Sequence, residues 1–241
     1  MKTASLKLLA LCGLLFSLVA PASAYVVGPT TPGKWGPPAV GTGATVSWSL
    51  MPTGTSCSAI EGGGCSITAF GDLLPSGWMN AVNTAFDMWS SVADLHFVQV
   101  ADDGAAEGFA TNSGDIRLGL HAFDGSFGVL AHGYYPPANG GSAAGDIHLD
   151  SAELWKIGFG GPGIDITQVL AHELGHALGL DHSSTPNSLM NPFYSEAFFG
   201  PQADDIAGIQ YLYGAPLVAV PEPGMLWLVG IGMGALLLGR R

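Results

Sequence analysis

The residues best placed to do chemistry fall in one stretch, Val169 to His182, which reads H-E-x-x-H-x-x-G-x-x-H from His172. His172 and His176 are four apart, so on a helix they leave the same face one turn apart. Two imidazole nitrogens can then share one metal ion. Glu173 lies beside them, within reach of a water on that metal without being a ligand. Gly179 tolerates a left-handed backbone and can end the helix in a sharp turn, which returns His182 as a third ligand. Three imidazoles and one open position describe a catalytic zinc, whereas a structural zinc is usually closed by four protein ligands. The competing description is an amphipathic core helix that carries histidines, since Leu170, Leu174, Ala177 and Leu178 occupy core-like positions. Five fixed positions in eleven residues favour the metal, with peptide-bond hydrolysis as its chemistry.

Other elements must position these side chains. Hydrophobic periodicity predicts the metal-binding helix over 165–178 and a terminal helix over 202–213, with Ile206, Ile209 and Leu212 on one face. Trp78, Met79, Val82, Phe86 and Trp89 recur at helical spacing and predict a helix over 76–90. Val46, Trp48 and Leu50 alternate and predict a first strand over 44–50, with further strands over 95–100, 115–120, 129–134 and 147–149. This order points to an α+β domain, a mixed twisted sheet with helices packed on it.

The two ends read as sorting elements. Lys2 and Lys7, the apolar run from Leu8 to Ala20 and the small residues Ala22-Ser23-Ala24 make residues 1–24 a secretory signal peptide. Residues 25–43 are rich in Pro and Gly and are expected to be extended, before a catalytic-type domain over 44–215. Segment 216–241 holds Val220-Pro221-Glu222-Pro223, an apolar run over 224–239 and the pair Arg240-Arg241. That run is near the length of a short membrane span, and the arginines would stay cytoplasmic. Either a plain C-terminal anchor or a processed one fits, and both put the domain outside the cytoplasmic membrane, at the cell surface or beyond it.

Between these ends, 18 acidic side chains face three basic ones, Lys34, Arg117 and Lys156. Such an acidic surface argues against a nucleic-acid partner, which calls for a basic face. Acids among glycines suit calcium loops or a solvated surface. Cys57 and Cys65 are expected to pair in an oxidising compartment, closing the loop Ser58 to Gly64; a metal-binding pair is the weaker alternative, because the spacing fits no zinc knuckle.

With these residues in view, the chain resembles the matrixins, the matrix-metalloprotease branch of the metzincins, from about Lys34 to Gly214. Leu178-Gly179-Leu180-Asp181-His182-Ser183 resembles the branch's continuation of the zinc motif, and Ser188 to Tyr194 its Met-turn and the wall after it. Asp204 to Gly214 is similar to its last helix, Ala85 to Ser90 to its first, and Gly145 to Trp155 to a strand-and-loop segment. The resemblance implies a metzincin fold and a zinc endopeptidase acting on peptide or protein substrates. His172, His176 and His182 would hold the catalytic zinc, Glu173 would act as general base, and Met190 would pack beneath the metal. Leu130 and Ala131, within the edge 128–133, would pair with substrate, while Pro192 and Tyr194 would line the S1′ pocket. Asp150 and Glu153, with Asp124 and Gly125, would hold calcium, and Asp146 matches a position at a second calcium site. The tail resembles a PEP-CTERM signal, which implies an exosortase-type processing enzyme and a transient membrane anchor.

Two departures stand out. His132 and His148 match two ligands of the family's structural zinc, but the loop between Leu120 and Phe123 is shortened; His121 can stand for its histidine, and no matching Asp remains. His96 is read as a strand or core histidine with no metal role. The Pro-Arg-Cys-Gly pattern with which family zymogens silence zinc is absent. Beside the peptidase stands a second reading, a non-catalytic surface or extracellular-matrix protein that keeps the fold. If no cysteine switch operates, a thiol-reactive mercurial added to the oxidised protein leaves its peptidase activity unchanged. Marked activation in that assay overturns the expectation.

Overall fold

The computed structural model describes residues 24–137 and 143–217. The proposed leader, but for Ala24, and the apolar run 224–239 lie outside them. Among the described residues no helix is long and apolar enough to cross a membrane.

In chain order the elements are β1 (Val26–Val27), β2 (Ala44–Leu50), α1 (Ser58–Glu61), α2 (Phe70–Leu73), α3 (Trp78–Ser90), β3 (Leu95–Gln99), β4 (Ile116–His121), β5 (Ala131–Gly133), β6 (Ile147–Asp150), β7 (Trp155–Lys156), β8 (Ile164–Asp165), α4 (Ile166–Ala177), β9 (Leu180–Asp181) and α5 (Ala203–Tyr213). Five strands form one mixed sheet in the order β3-β2-β4-β6-β5. The first four run parallel, and β5 closes one edge antiparallel to β6. The α+β expectation holds, and the long elements fall within two residues of the periodicity. The short pairs β1–β9 and β7–β8 and the single-turn helices α1 and α2 have no such periodic signal.

Strand alternation divides the sheet into two working faces. Ile116, Leu118 and Leu120 of β4, with Ile147 and Leu149 of β6 and Ala131 of β5, join the main core against α3 and α4. Trp89 of α3 is fully buried there, and its indole N–H donates to the Ala171 carbonyl of α4 at 2.9 Å. Trp48 stacks on Phe86 at 4.7 Å. The odd-numbered neighbours Arg117, Gly119 and His121 point to the other face and are buried as well, because loops cover it. A Cβ on Gly119 would lie 2.7 Å from Ile67 Cγ2, so the cystine-bearing loop packs flush on the strand.

The segment 25–43, expected to be extended, instead runs beyond β1 through bends and a turn as it docks on the domain. Gly28 N–H donates to the Gly179 carbonyl at 2.8 Å, β1 pairs with β9, and Trp35 Nε1–H donates to the Ala177 carbonyl at 2.8 Å. Lys34 is buried, its ammonium donating to the carbonyls of Trp35 and Pro37 and lying 4.7 Å over the Tyr213 ring.

On the loop-covered face Arg117 organises residues 102–107. Its guanidinium donates to both carboxylate oxygens of Asp102, at 2.9 and 2.7 Å, and to the Ala105 carbonyl at 3.0 Å. Both side chains of the pair are almost wholly buried. Burial would raise the Asp102 pKa, but hydrogen bonds from Arg117, Ser49 and Gly104 N–H outweigh it and the pKa is lowered. A folded-state pKa below the unfolded one adds stability above about pH 4 that fades as pH falls through the folded value. Asp102→Asn leaves the guanidinium buried without its counter-charge, and is expected to cost about 3–5 kcal/mol near neutrality. The gap to wild type narrows below about pH 4, as read by urea denaturation at a series of pH values; a gap independent of pH refutes the assignment.

Candidate metal centres and cleft

Asp165 caps α4 by accepting the Gln168 N–H at 2.8 Å, and the helix carries His172 and His176 on adjacent turns. Gly179 sits at φ +106°, and a Cβ there would lie 2.1 Å from the Gly33 carbonyl oxygen, so this turn accepts little but glycine. Beyond it β9 delivers His182. Its Nε2 lies 3.2 Å from His172 Nε2 and 3.2 Å from His176 Nε2. Tetrahedral zinc with Zn–N bonds of about 2.0–2.1 Å sets its nitrogen donors about 3.3–3.4 Å apart, so the triad fits that ion. The far nitrogens are engaged as well. His172 Nδ1 lies 2.6 Å from the Leu189 carbonyl and His176 Nδ1 2.9 Å from the Leu180 carbonyl. A carbonyl can only accept, so each Nδ1 carries the proton and each Nε2 lone pair faces inward. Burial lowers the pKa of His172 to about 3 and of His176 to about 4, leaving both neutral at physiological pH.

Glu173 is buried beside the triad, and burial pushes its carboxyl up to about 8 against a hydrogen bond from Gly133 N–H of β5. His172, His182 and Glu173 line a cleft of about 490 Å³. Leu130 and Ala131 line one side, and Pro192, Phe193 and Tyr194 another. Tyr194 is fixed because its hydroxyl accepts from Asp165 N–H at 2.9 Å and donates to Glu196 at 2.7 Å. Gln168, which the sequence did not single out, joins the cleft and ties α4 to the far wall. Its Oε1 accepts Gly200 N–H at 3.0 Å, and its Nε2 donates to the carbonyls of Ser195 and Phe198.

The turn at Met190 is anchored from α5 by Asp205. That buried carboxylate accepts from Ser188 Oγ, Leu189 N–H, Met190 N–H and Gln202 N–H, at 2.5, 2.6, 3.0 and 2.8 Å. Met190 packs so closely on α4 that a Cβ at Gly175 would fall 2.2 Å from its sulfur.

A second cluster occupies the loop-covered face of the sheet. His132 Nε2 lies 3.1 Å from His148 Nδ1, and the ring of His121 centres 5.0 Å from that of His148. Glu61 of α1 reaches in, with Oε1 2.9 Å from His132 Nε2 and 3.3 Å from His148 Nδ1, and Oε2 3.9 Å from His121 Nε2. An acid therefore does stand with these histidines, although the shortened loop after Leu120 provides none. Glu107 accepts from His148 Nε2 at 2.6 Å behind the cluster. Glu61 and Glu107 both escaped sequence reasoning; the one hint was an acid inside the cystine loop. Cys57 and Cys65 form the expected disulfide.

Asp150 and Glu153 are buried, and Asp150 Oδ2 and Glu153 Oε2 have no hydrogen-bond partner. Their other oxygens accept backbone N–H groups, Asp150 from Ala152 at 2.9 Å and Glu153 from Phe127. Asp124 accepts from Val129 N–H at 3.1 Å, and Gly125 turns the loop at φ +92°. Bare buried carboxylate oxygens suit a hard cation such as calcium. Asp146 is also buried and likewise keeps one oxygen, Oδ2, without a hydrogen-bond partner. It accepts Arg117 N–H at 3.0 Å, and burial together with Glu107 raises its pKa well above the usual carboxylate range. His96 is largely exposed and lies in neither histidine cluster.

A sequence profile of the matrixin family matches residues 68–214. The chain belongs to the matrixin family. It is 40% identical over 145 residues to karilysin of Tannerella forsythia, covering 57% of this chain and 29% of karilysin. To stromelysin-3 of Xenopus laevis it is 42% identical over 144 residues, 58% of this chain and 28% of the relative. Matrix metalloproteinase-16 of Homo sapiens is 41% identical over 156 residues, 59% of this chain and 24% of the relative. The chain thus spans under a third of the length of these relatives. Matrixins use catalytic zinc and calcium, and the triad geometry and the bare carboxylate oxygens are compatible with both ions.

Gly175→Ala is expected to cost about 1–3 kcal/mol, because the new methyl displaces Met190 in a filled space. Met190→Ala in the same chain should recover part of the loss, a coupling readable as a double-mutant cycle in denaturant. Strict additivity of the two changes rejects the contact.

Proposed function

We propose that this protein is an exported zinc endopeptidase. The observation that carries the reading is the convergence of three imidazoles, two of them oriented by backbone carbonyls, beside a buried glutamate at the mouth of a cleft bordered by the edge strand β5. Zinc, when bound by His172, His176 and His182, lowers the pKa of its water towards neutrality and polarises the scissile carbonyl. Glu173 takes the proton from the attacking water and hands it to the leaving amine. An extended peptide pairs with the edge around Leu130 and Ala131, so that backbone hydrogen bonds give affinity and pockets give selectivity. Pro192 and Tyr194 wall the pocket for the residue after the cut bond, and Met190 serves as packing beneath the metal.

Asp124, Gly125, Asp150 and Glu153 hold a calcium that fastens the loop before β5, while His121, His132 and His148 take a second, structural zinc. Asp146, whose Oδ1 accepts Arg117 N–H and whose buried Oδ2 has no hydrogen-bond partner, serves at a second calcium site. Residues 1–24 direct export, the peptidase domain is 44–215 with 25–43 packed on it, and 216–241 is a PEP-CTERM-type sorting tail. Its apolar run 224–239 anchors the protein in the membrane until an exosortase-type enzyme processes it. The acidic charge, the leader and this tail support a site of action at the cell surface or beyond it.

The test is cleavage of a varied peptide library by purified protein, with and without a zinc chelator, beside Glu173→Ala. Removing a general base is expected to lower kcat by about 10²- to 10⁴-fold with zinc retained. Equal inertness of wild type and variant with zinc bound favours the non-catalytic surface protein and sinks the peptidase. In the same preparations a calcium-selective chelator should lower the melting temperature, and Asp150→Asn should abolish that response. A wild-type melting temperature indifferent to calcium removes the ion from the account.

A further inference from the structure

We infer that Glu61 is the fourth ligand of the second zinc site and that the Cys57–Cys65 disulfide holds it in place. This inference rests on the second-zinc reading above and supplies the acid that the shortened loop lacks. Three features of the cluster point to a metal with four protein ligands. First, the donor atoms of Glu61, His121, His132 and His148 all lie within 4.8 Å of one another. Second, His121 Nδ1 lies 3.1 Å from the Ala122 carbonyl and must donate to it, which turns the Nε2 lone pair into the cluster. That Nε2 is buried and has no hydrogen-bond partner. Third, Glu107, wholly buried, engages His148 Nε2, which leaves Nδ1 as the inward lone pair. Three imidazoles and one carboxylate make a closed donor set of the structural kind.

The placement of Glu61 depends on its loop. Glu61 is the last residue of the single turn α1 and is followed by Gly62, Gly63 and Gly64, two of them at positive φ. Such a glycine run gives the chain no preference for one conformation. The loop is instead closed at its base by the disulfide, with Cys57 N–H donating to the Cys65 carbonyl and the Ile60 and Glu61 N–H groups donating to the Cys57 carbonyl. Cys57 is buried against Met51 and Ile67, which seats the ring on β4. Tyr134 adds a hydrogen bond from its hydroxyl to Glu61 Oε1 at 2.5 Å. The cross-link therefore acts as a positioning device for a ligand 71 residues away in sequence from His132.

The experiment uses the full chain carrying His172→Ala and His176→Ala, which removes the catalytic triad's zinc and leaves the second site to be read alone. Bound zinc per chain is measured by mass spectrometry of the metal, and affinity by competition with a chromophoric chelator. One zinc is expected in this background. Replacing a residue that only supports a ligand costs about 10- to 100-fold in affinity. Glu61→Ala should therefore lose at least 100-fold, with Glu61→Asp recovering part of it. Cys57→Ser with Cys65→Ser should lose 10- to 100-fold, circular dichroism confirming that the domain remains folded. With cobalt as the probe metal, the strong visible absorption of a four-coordinate site should weaken in Glu61→Ala. No zinc in the background chain, or unchanged affinity in Glu61→Ala, overturns the ligand. Unchanged affinity in the serine pair overturns the role of the disulfide. If the catalytic-zinc reading is what fails, wild type and background chain carry the same zinc while its dependence on Glu61 persists.

Discussion

Three imidazole nitrogens converging on one point, those of His172 and His176 each 3.2 Å from that of His182, are the constraint from which the rest of this structure follows. Lone pairs facing one another at that distance repel, so each ring must be held from behind. The carbonyls of Leu189 and Leu180 do this for His172 and His176, and each belongs to a segment with its own anchor. Leu189 sits in the turn that Asp205 of α5 gathers by four hydrogen bonds. Leu180 follows a glycine turn against which the N-terminal segment is laid. The last helix and the N-terminal segment, remote from the cleft, are thus required by the orientation of two rings.

Much of this was legible in the sequence because it is local. The His172 to His182 spacing lies within one helix and one turn, and helical periodicity can be read where an element buries one face. The same holds for α3, whose aromatic positions recur at helical spacing. Glu61 was not legible because its neighbours are brought to it by sheet topology. His121, His132 and His148 sit on β4, β5 and β6, and the acid arrives on a glycine-flanked loop with no periodic signal. Glu107 and Gln168 were missed for a related reason: each acts through hydrogen bonds to partners 41 and about 30 residues away. Asp205 was seen only as part of a helix, since a carboxylate that caps a distant turn looks in sequence like any acid in a first helical turn.

The mixed sheet also explains how two histidine clusters, each a candidate metal centre, fit one small domain without interfering. Alternation sends the apolar residues of β4 and β6 towards the helices and their neighbours towards the loops. The helix-covered side carries the triad and the cleft. The loop-covered side carries the second histidine cluster and the Arg117–Asp102 network that sets the loop bearing Glu107. Each side has its own polar groups and its own hydrogen-bond partners, separated by a layer of fully buried aliphatic side chains.

The three residues of β5 are shared between these two sides. Ala131 faces the cleft and core, His132 enters the cluster on the other face, and Gly133 turns its N–H to Glu173. A slip of one residue inverts every side chain of a strand. Here it would withdraw the histidine from one centre and bring a side chain against the Glu173 backbone, since even a Cβ at Gly133 would lie 2.7 Å from the Glu173 carbonyl oxygen. Edge strands are ordinarily the least specified part of a sheet. This one is locked in register by chemistry on both faces, so under the proposed function a peptide laid along it would meet a template of fixed phase.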